Sequence, residues 1–209
     1  MEAKREAVHV PPINLQVAVF HVTGKAPLMQ AAFSQKVLLK LRATHEAGST
    51  AKSKKQKEPR NFEQDFRDAA HRSTEGWYGI PASAFRSACI DVCRMVGFKM
   101  THAKMSVFVQ ADGLDAVNGQ PLVRLDAGKP EMNVMAVRNQ TGVVDLRARP
   151  MWREWGCELR MEFDADQFTL SDVSNLLERA GTQVGIGEGR PFSRESAGLG
   201  LGTFTIRSA

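Results

Sequence analysis

"VGIGEGRPFSRESAGLGLGTFTI" occupies residues 184–206, near the end of the chain. Glycine stands at alternate positions twice, at Gly185, Gly187 and Gly189 and again at Gly198, Gly200 and Gly202. Each glycine inside a strand weakens it, so this stretch is a loop, and only "GTFTIR" at its end is a strand. Immediately upstream, "TLSDVSNLLERAG" (residues 169–181) predicts a helix. Thr169 or Ser171 caps it, Val173, Leu176, Leu177 and Ala180 form an apolar stripe, and Gly181 ends it. The glycines therefore lie between the last helix and the last strand. There they let the backbone approach another group closely, and consecutive free N–H groups can make an anion-binding nest. Arg190 and Arg194 would add charge-assisted contacts to phosphate. A dinucleotide fingerprint does not fit, because the G-x-G here does not open a helix after a strand. A Walker loop lacks its Gly-Lys-Ser/Thr. The plain alternative is a loop whose glycines serve tight turns and close packing.

Working outward, "INLQVAVFHV" (residues 13–22) alternates with period two and predicts a half-buried strand. Ile13, Leu15, Val17 and Val19 share one face; Asn14, Gln16, Ala18 and Phe20 share the other. "MQAAFSQKVLLKLRATHEA" (residues 29–47) reads as mostly helical, with a strand through Val37, Leu38 and Leu41 as the alternative. "GSTAKSKKQKEPR" (residues 48–60) has no apolar side chain larger than alanine and reads as a mobile basic loop. "NFEQDFRDAAHR" is a short helix capped by Asn61. "GIPASAFRSACIDVCRMVG" (residues 79–97) is a clear helix, with Pro81 in its first turn, Phe85, Ala88, Cys89, Val92 and Val96 on one face, and Gly97 as C-cap. "KMSVFVQADG" predicts a strand, "DAVNGQPLVRL" a hairpin-like excursion and "EMNVMAVRN" a further strand. "VVDLRARPMWREWGCELRMEFD" (residues 143–164) reads as two antiparallel strands, with Cys157, Leu159, Met161 and Phe163 on one face of the second. Arg147, Arg149 and Arg160 fall on the faces opposite to the apolar ones.

Stripped of its insertions, the order is strand, helix, strand, strand, helix, strand. That is the α+β, ferredoxin-like (βαββαβ, RRM-like) arrangement with large insertions. The expected organisation is a loose tail over residues 1–12 and one domain over 13–209. An insertion at about 30–76 carries the basic loop at 48–60.

The chain of 209 residues is long enough to bury a core without staples. Net charge is +5, a moderate basic excess that admits a polyanionic partner without requiring one. The start is polar and no apolar run is long enough to span a bilayer, so no membrane partner is expected. The three cysteines, Cys89, Cys93 and Cys157, are an odd number, which suits reduced thiols in a cytoplasmic protein.

The stretches "GIPASAFRSACIDVCR" and "VGIGEGRPFSRESAGLGLGTF" together resemble the RAMP superfamily of CRISPR ribonucleoproteins. Those proteins have ferredoxin-like cores. They carry a glycine-rich loop of the form G-x-G-R followed by G-x-G between last helix and last strand. Their repeat-backbone subunits place an "IPGSS-L-+-G" type helix start after the first strand. The matching positions here are Ile80, Pro81, Ala82, Ser83, Ala84, Phe85 and Arg86. Ala82 replaces a glycine, and the spacer between the glycine clusters is long. The pattern is also similar to that of bacteriophage proteins. The resemblance implies binding of single-stranded RNA or DNA, RNA before DNA, along a head-to-tail homo-oligomer; separately, no cofactor is expected.

Residue chemistry supplies candidates for such contacts. Phosphate needs lysine and arginine on one surface, and unpaired bases need aromatic or guanidinium faces for stacking. On the open sheet these are Phe20, Arg147, Arg149 and Arg160. In the basic loop they are Lys52, Lys54, Lys55, Lys57 and Arg60. At the glycine loop they are Gly185, Gly187, Gly189, Arg190, Arg194, Gly198 and Gly200. Trp77 and Tyr78, just before the Gly79–Ile80–Pro81 turn, make a stacking platform, with Arg86 on the following helix.

An enzyme is not the favoured expectation. His21, near the end of the first strand, is the one candidate base for metal-independent RNA cleavage. The loop after that strand, "TGKAPLMQ", holds no carboxylate, and Asp65 and Asp68 occur later without the right context. Cys89 and Cys93, with His71 or His102, form a weak zinc candidate, since buried thiols are common core fillers. Asp164 and Asp166 fit a charge pair before a helix better than a metal loop. A structural or interaction protein of a phage, without nucleic acid, is the remaining alternative.

Overall fold

The computed structural model describes residues 10–33, 35–46, 48, 59–138, 144–193 and 198–208. Among them the chain is mixed α/β, with five α-helices and antiparallel sheets. The elements run β1 (Leu15–Gly24), β2 (Leu28–Met29), α1 (Gln35–Glu46), α2 (Phe62–Asp68), β3 (Gly79–Pro81) and α3 (Ala82–Cys93). They continue with α4 (Met100–Ser106), β4 (Val107–Val109), β5 (Gly113–Leu114), β6 (Pro121–Arg124), β7 (Glu131–Arg138) and β8 (Val144–Trp152). The chain closes with β9 (Gly156–Asp164), α5 (Leu170–Arg179), a π-helical turn (Ala180–Val184) and β10 (Phe204–Ser208).

The principal sheet has the order β10-β1-β9-β4, antiparallel throughout. Strand β1 lies in its interior and pairs on both sides, Phe20 with Leu159 of β9 and with Ser208 of β10. One face carries the core. Ala18, Phe20 and Val22 of β1 and Cys157, Leu159, Met161 and Phe163 of β9 are buried there with Phe85, Val92, Val173 and Leu177 from α3 and α5. Phe85 meets Phe204 edge to face at 5.6 Å. The other face is open. Leu15 and Val17 are 45% and 52% exposed, and His21 and Arg207 stand opposite each other across β1 and β10.

This reverses the expected facing of the first strand. Phe20 was placed on the open face as a stacking residue; it is fully buried. The set Ile13, Leu15, Val17 and Val19 is apolar throughout, whereas the set that turns inward opens on Asn14 and Gln16 and becomes apolar only from Ala18, so alternation points to the wrong face.

Two three-stranded sheets, β2-β8-β7 and β3-β6-β5, flank the principal one. The pair expected at residues 143–164 is therefore corrected: β8 pairs with β2 and β7, while β9 pairs with β1 and β4. Arg147 and Arg149 of β8 do not share a sheet with Arg160 of β9. Residues 104–106, expected as strand, are the last turn of α4, and β4 begins at Val107. Helix α3 ends at Cys93, before the expected Gly97, and Val96 is 47% exposed beyond it.

The cap residues read from sequence are in place. Asn61 accepts the Gln64 amide at 3.1 Å, and Thr169 with Asp172 forms a reciprocal capping box on α5. The bonds from Thr169 hold the Asp172 carboxyl below the usual carboxylate range. A depressed carboxyl stabilises the fold above its unfolded pKa, and that contribution disappears as pH falls through the lower folded value. Thr169→Ala is expected to cost about 1 kcal/mol at neutral pH, with the deficit shrinking under acid, measured by urea denaturation at several pH values. A pH-independent deficit would assign the loss to the helix rather than to the box.

Candidate functional site

The glycines of residues 185–202 all have positive φ, between 65° and 78°. Gly187 shows why no larger residue fits. A Cβ there would fall on the Met29 carbonyl oxygen and within 2.9 Å of Leu28 Cδ1, while the neighbouring Glu188 amide donates to Met29 O at 2.8 Å. Gly202 plays the same part in the second half of the loop, against the Ile186 carbonyl. The close approach inferred from sequence is thus made first of all to the chain itself: the loop is knitted to β2 and to its own other half. At the tip the packing ends, and Gly200 has nothing within 4 Å of a would-be Cβ. The amides of Gly187, Gly189, Arg190 and Gly200 find no acceptor among the described residues, which leaves unpaired donors of the kind an anion uses.

Charge at the loop is arranged around Glu188. Its carboxylate meets Arg149 Nε at 2.6 Å and Arg147 Nη1 at 3.6 Å, which ties the loop to β8. Asp145 is likewise answered by Arg60 at 2.5 Å, and this guanidinium, followed by Arg147, keeps the Asp145 carboxyl below its ordinary range. Among the described residues Arg190 meets no carboxylate; it donates to Gly187 O at 3.2 Å, folding over its own turn. Glu188 is neutralised where it stands.

Two stretches more than a hundred positions apart meet here. A cleft of about 460 Å³ is lined by Ile80, Pro81, Ser83 and Ala84 from the start of α3 and by Gly187, Glu188 and Arg190 from the loop. Pro81 caps α3 without a side-chain hydrogen bond, so the positive end of that helix lies at the same cleft. His71, Gln30 and Gln120 close the far wall. A second hollow of about 470 Å³ follows the other side of the loop, between Arg190, Gly198 and Leu199 and β7.

Other sequence-predicted residues lie elsewhere. Arg160, on the open face of the principal sheet, is paired with Asp112 and lies 3.6 Å from Glu158. Arg86 donates to the carbonyls of Val107 (2.9 Å) and Lys104, with its guanidinium over Phe108; it secures the edge strand β4. Tyr78 packs edge-on against Trp152 at 5.3 Å and accepts from Arg72, so its ring is engaged. The Trp77 ring fills the space over Gly79 and Gly113, and its indole donates to Glu75. Trp77 and His21 line a separate cleft of about 1080 Å³, whose walls carry Glu75, Asp112, Asp126, Glu154 and Glu158. Those carboxylates repel a phosphate chain, which sets the His21 wall apart from the glycine loop. Lys52, Lys54, Lys55, Lys57 and Arg194 lie outside the described residues.

Cys89 and Cys93 are buried in the core, and burial followed by the neighbouring Cys93 pushes the Cys89 thiol up to about 12. Among the described residues no three His, Cys, Asp or Glu side chains are grouped to hold a metal ion. No helix among them is long and apolar enough to cross a membrane.

A buried polar cluster behind the cleft was not foreseen. Gln30 is 3% and Asp115 4% exposed. The Gln30 side chain donates to Gly79 O at 2.8 Å and accepts the His71 amide at 3.0 Å. His71 Nδ1 lies 2.9 Å from Asp115 Oδ2. The only sign in the sequence is compositional, since the partners are 41 and 44 positions apart and follow no local period.

A comparison of the chain with protein-family models finds no match, and a comparison with curated proteins finds none either.

Proposed function

We propose that this chain binds single-stranded nucleic acid, RNA ahead of DNA, as a repeating subunit of a head-to-tail assembly built on a ferredoxin-like core. Taken in chain order, β1, α3, β4, β9, α5 and β10 make a βαββαβ path, and the sheet order places the last of these strands beside the first and the first beside the third. Everything between β4 and β9 is then insertion, as is the segment from β2 to the start of α3.

The observation that carries the functional proposal is the convergence of the α3 start and the glycine loop on one cleft. The amides of Gly187 and Arg190, an uncapped helix N-terminus and the Arg190 guanidinium present positive charge there, and the Arg147–Arg149 pair silences Glu188, the carboxylate beside them. These groups suit a phosphate diester and read no base, so affinity should be sequence-independent. The ribbon β7–β8 offers a neighbouring copy an apolar face, with Val134 50%, Val144 57% and Leu146 47% exposed.

Binding of a labelled single strand, titrated against salt, tests this. If about three to five phosphates are held, log K should fall with log salt at a slope of about −2 to −3.5. Arg190→Ala should weaken binding about tenfold for every sequence alike and flatten the slope by about 0.7, with unchanged thermal stability. Absence of salt-dependent binding would refute the proposal and favour an interaction protein without nucleic acid.

A further inference from the structure

We propose that the lysine-rich segment 49–60 of one copy docks in the cleft at the open end of the principal sheet of the next copy. This rests on the assembly proposed above and names its contact; it does not depend on the glycine loop or on what that loop holds.

The cleft of about 1080 Å³ lies where the open face of the sheet is left uncovered. His21 and Thr23 of β1 and Glu158 of β9 form its floor. Glu75, Asp126 and Glu154 stand around it on connecting segments, with the Trp77 indole in the wall. Asp112 and Glu158 are within reach of Arg160. Glu75, Asp126 and Glu154 meet no cation among the described residues, and Arg124 is the one lysine or arginine in the lining. Such a cleft favours cationic side chains, through its carboxylates and its indole, and disfavours a phosphate chain.

The chain carries the complementary partner. Residues 49–58 lie outside the described residues; in sequence they hold Lys52, Lys54, Lys55 and Lys57 against Glu58 alone, with no apolar side chain larger than alanine. Where this segment ends decides whose cleft it enters. Arg60 is bonded to Asp145 at 2.5 Å, near the start of β8. The cleft lies past the other end of that strand, at Glu154 and Trp155. From Asp145 to Trp152 the strand covers about 23 Å. Fully extended, the backbone carries Lys57 no more than about 11 Å from Arg60 and Lys55 no more than about 18 Å. Those two lysines fall short of the cleft in their own molecule, whereas all four can enter a neighbour's. The segment is thus anchored at one end of β8 and the cleft opens at the other. Their contact is heterologous and repeats from copy to copy in a row.

The test is sedimentation velocity on the full chain, freed of nucleic acid by nuclease. Association is expected at about 50 mM salt and should weaken at least tenfold at about 300 mM. One variant carries Lys52→Glu, Lys54→Glu, Lys55→Glu and Lys57→Glu; the other carries Asp126→Lys and Glu154→Lys, two side chains without an ion pair among the described residues. Each alone should associate at least about tenfold more weakly than the native chain. Mixed in equal amounts they should associate again, because the reversed segment meets the reversed cleft and the native segment the native cleft. Recovery in the mixture shows that both variants fold. A native chain that stays monomeric at low salt, variants that associate alone as the native chain does, or a mixture that stays apart overturns the inference. So does a lysine variant that loses single-strand affinity while association ignores these charges, which would assign the segment to nucleic acid. Strand binding on the same samples separates the two proposals. Salt-dependent strand binding without charge-dependent association leaves the nucleic-acid reading standing and sinks this contact; association that follows the charges with no strand bound does the reverse.

Discussion

Gly202→Ala is expected to destabilise the protein by about 3 kcal/mol or more, while Gly200→Ala, two positions away, costs about 1 kcal/mol. The two glycines share a left-handed backbone, with φ of 65° and 77°. That conformation costs an alanine roughly 1–2 kcal/mol at either site. The difference is in what surrounds them. A methyl at Gly202 lands on the Ile186 carbonyl, whose residue is bonded through its own amide to Gly202 O at 3.0 Å, and Gly202 N donates to Pro27 O at 2.8 Å. The clash therefore pushes on backbone that is fixed at both ends. A methyl at Gly200 meets open space. In a chain of 209 residues, 3 kcal/mol lowers the melting temperature by roughly 6–12 °C and 1 kcal/mol by roughly 2–4 °C. Thermal melts of the two variants side by side check this. Equal losses would mean that the loop is not packed on itself as described.

Phe20→Ala is expected to be the most damaging of the single changes considered, at about 3–5 kcal/mol, whereas Val17→Ala stays within about 0.5 kcal/mol. Phe20 is fully buried in the central strand, among side chains of α3, α5 and β9. Truncation removes a ring from a close-packed layer and leaves a cavity. Val17 stands on the open face, half exposed. Urea midpoints for both variants decide between the two facings of β1. A large loss at Val17 and a small one at Phe20 would restore the facing that alternation alone suggests and return Phe20 to the solvent side.

The contrast between those two residues shows how far local pattern reaches. Helices α2 and α5 were legible with their caps, because a cap is a contact between residues three positions apart. Strand β9 was legible because its Cys157-Leu159-Met161-Phe163 set alternates with charged residues. Strand β1 was legible as a strand but not by facing, since the set that turns inward opens on Asn14 and Gln16 while the exposed set is apolar from Ile13 onward. The arginines were legible as cations but not as a surface. Arg147 and Arg149 sit on one sheet and Arg160 on another, each engaged by carboxylates from distant segments.

At the cleft the division is the same. Glycine content, the helix-to-strand position of the loop and the "GIPAS" helix start were all visible in the chain. That the two stretches meet was not, because their contact is long-range and leaves no period. The sequence suggests His71 only as a zinc ligand beside Cys89 and Cys93, and nothing in it singles out Asp115.

By itself the sequence determined the character of most elements, the position of a glycine-rich loop between the last helix and the last strand, and the pool of cations near the end of the chain. Those depend on intrinsic backbone preference and on neighbours within a few positions. Only the tertiary structure decided which strand face is buried, which arginines meet carboxylates and which residues line the cleft beside the loop. Each of those is set by pairing between segments far apart, where burial and charge are shared out after the chain has closed on itself.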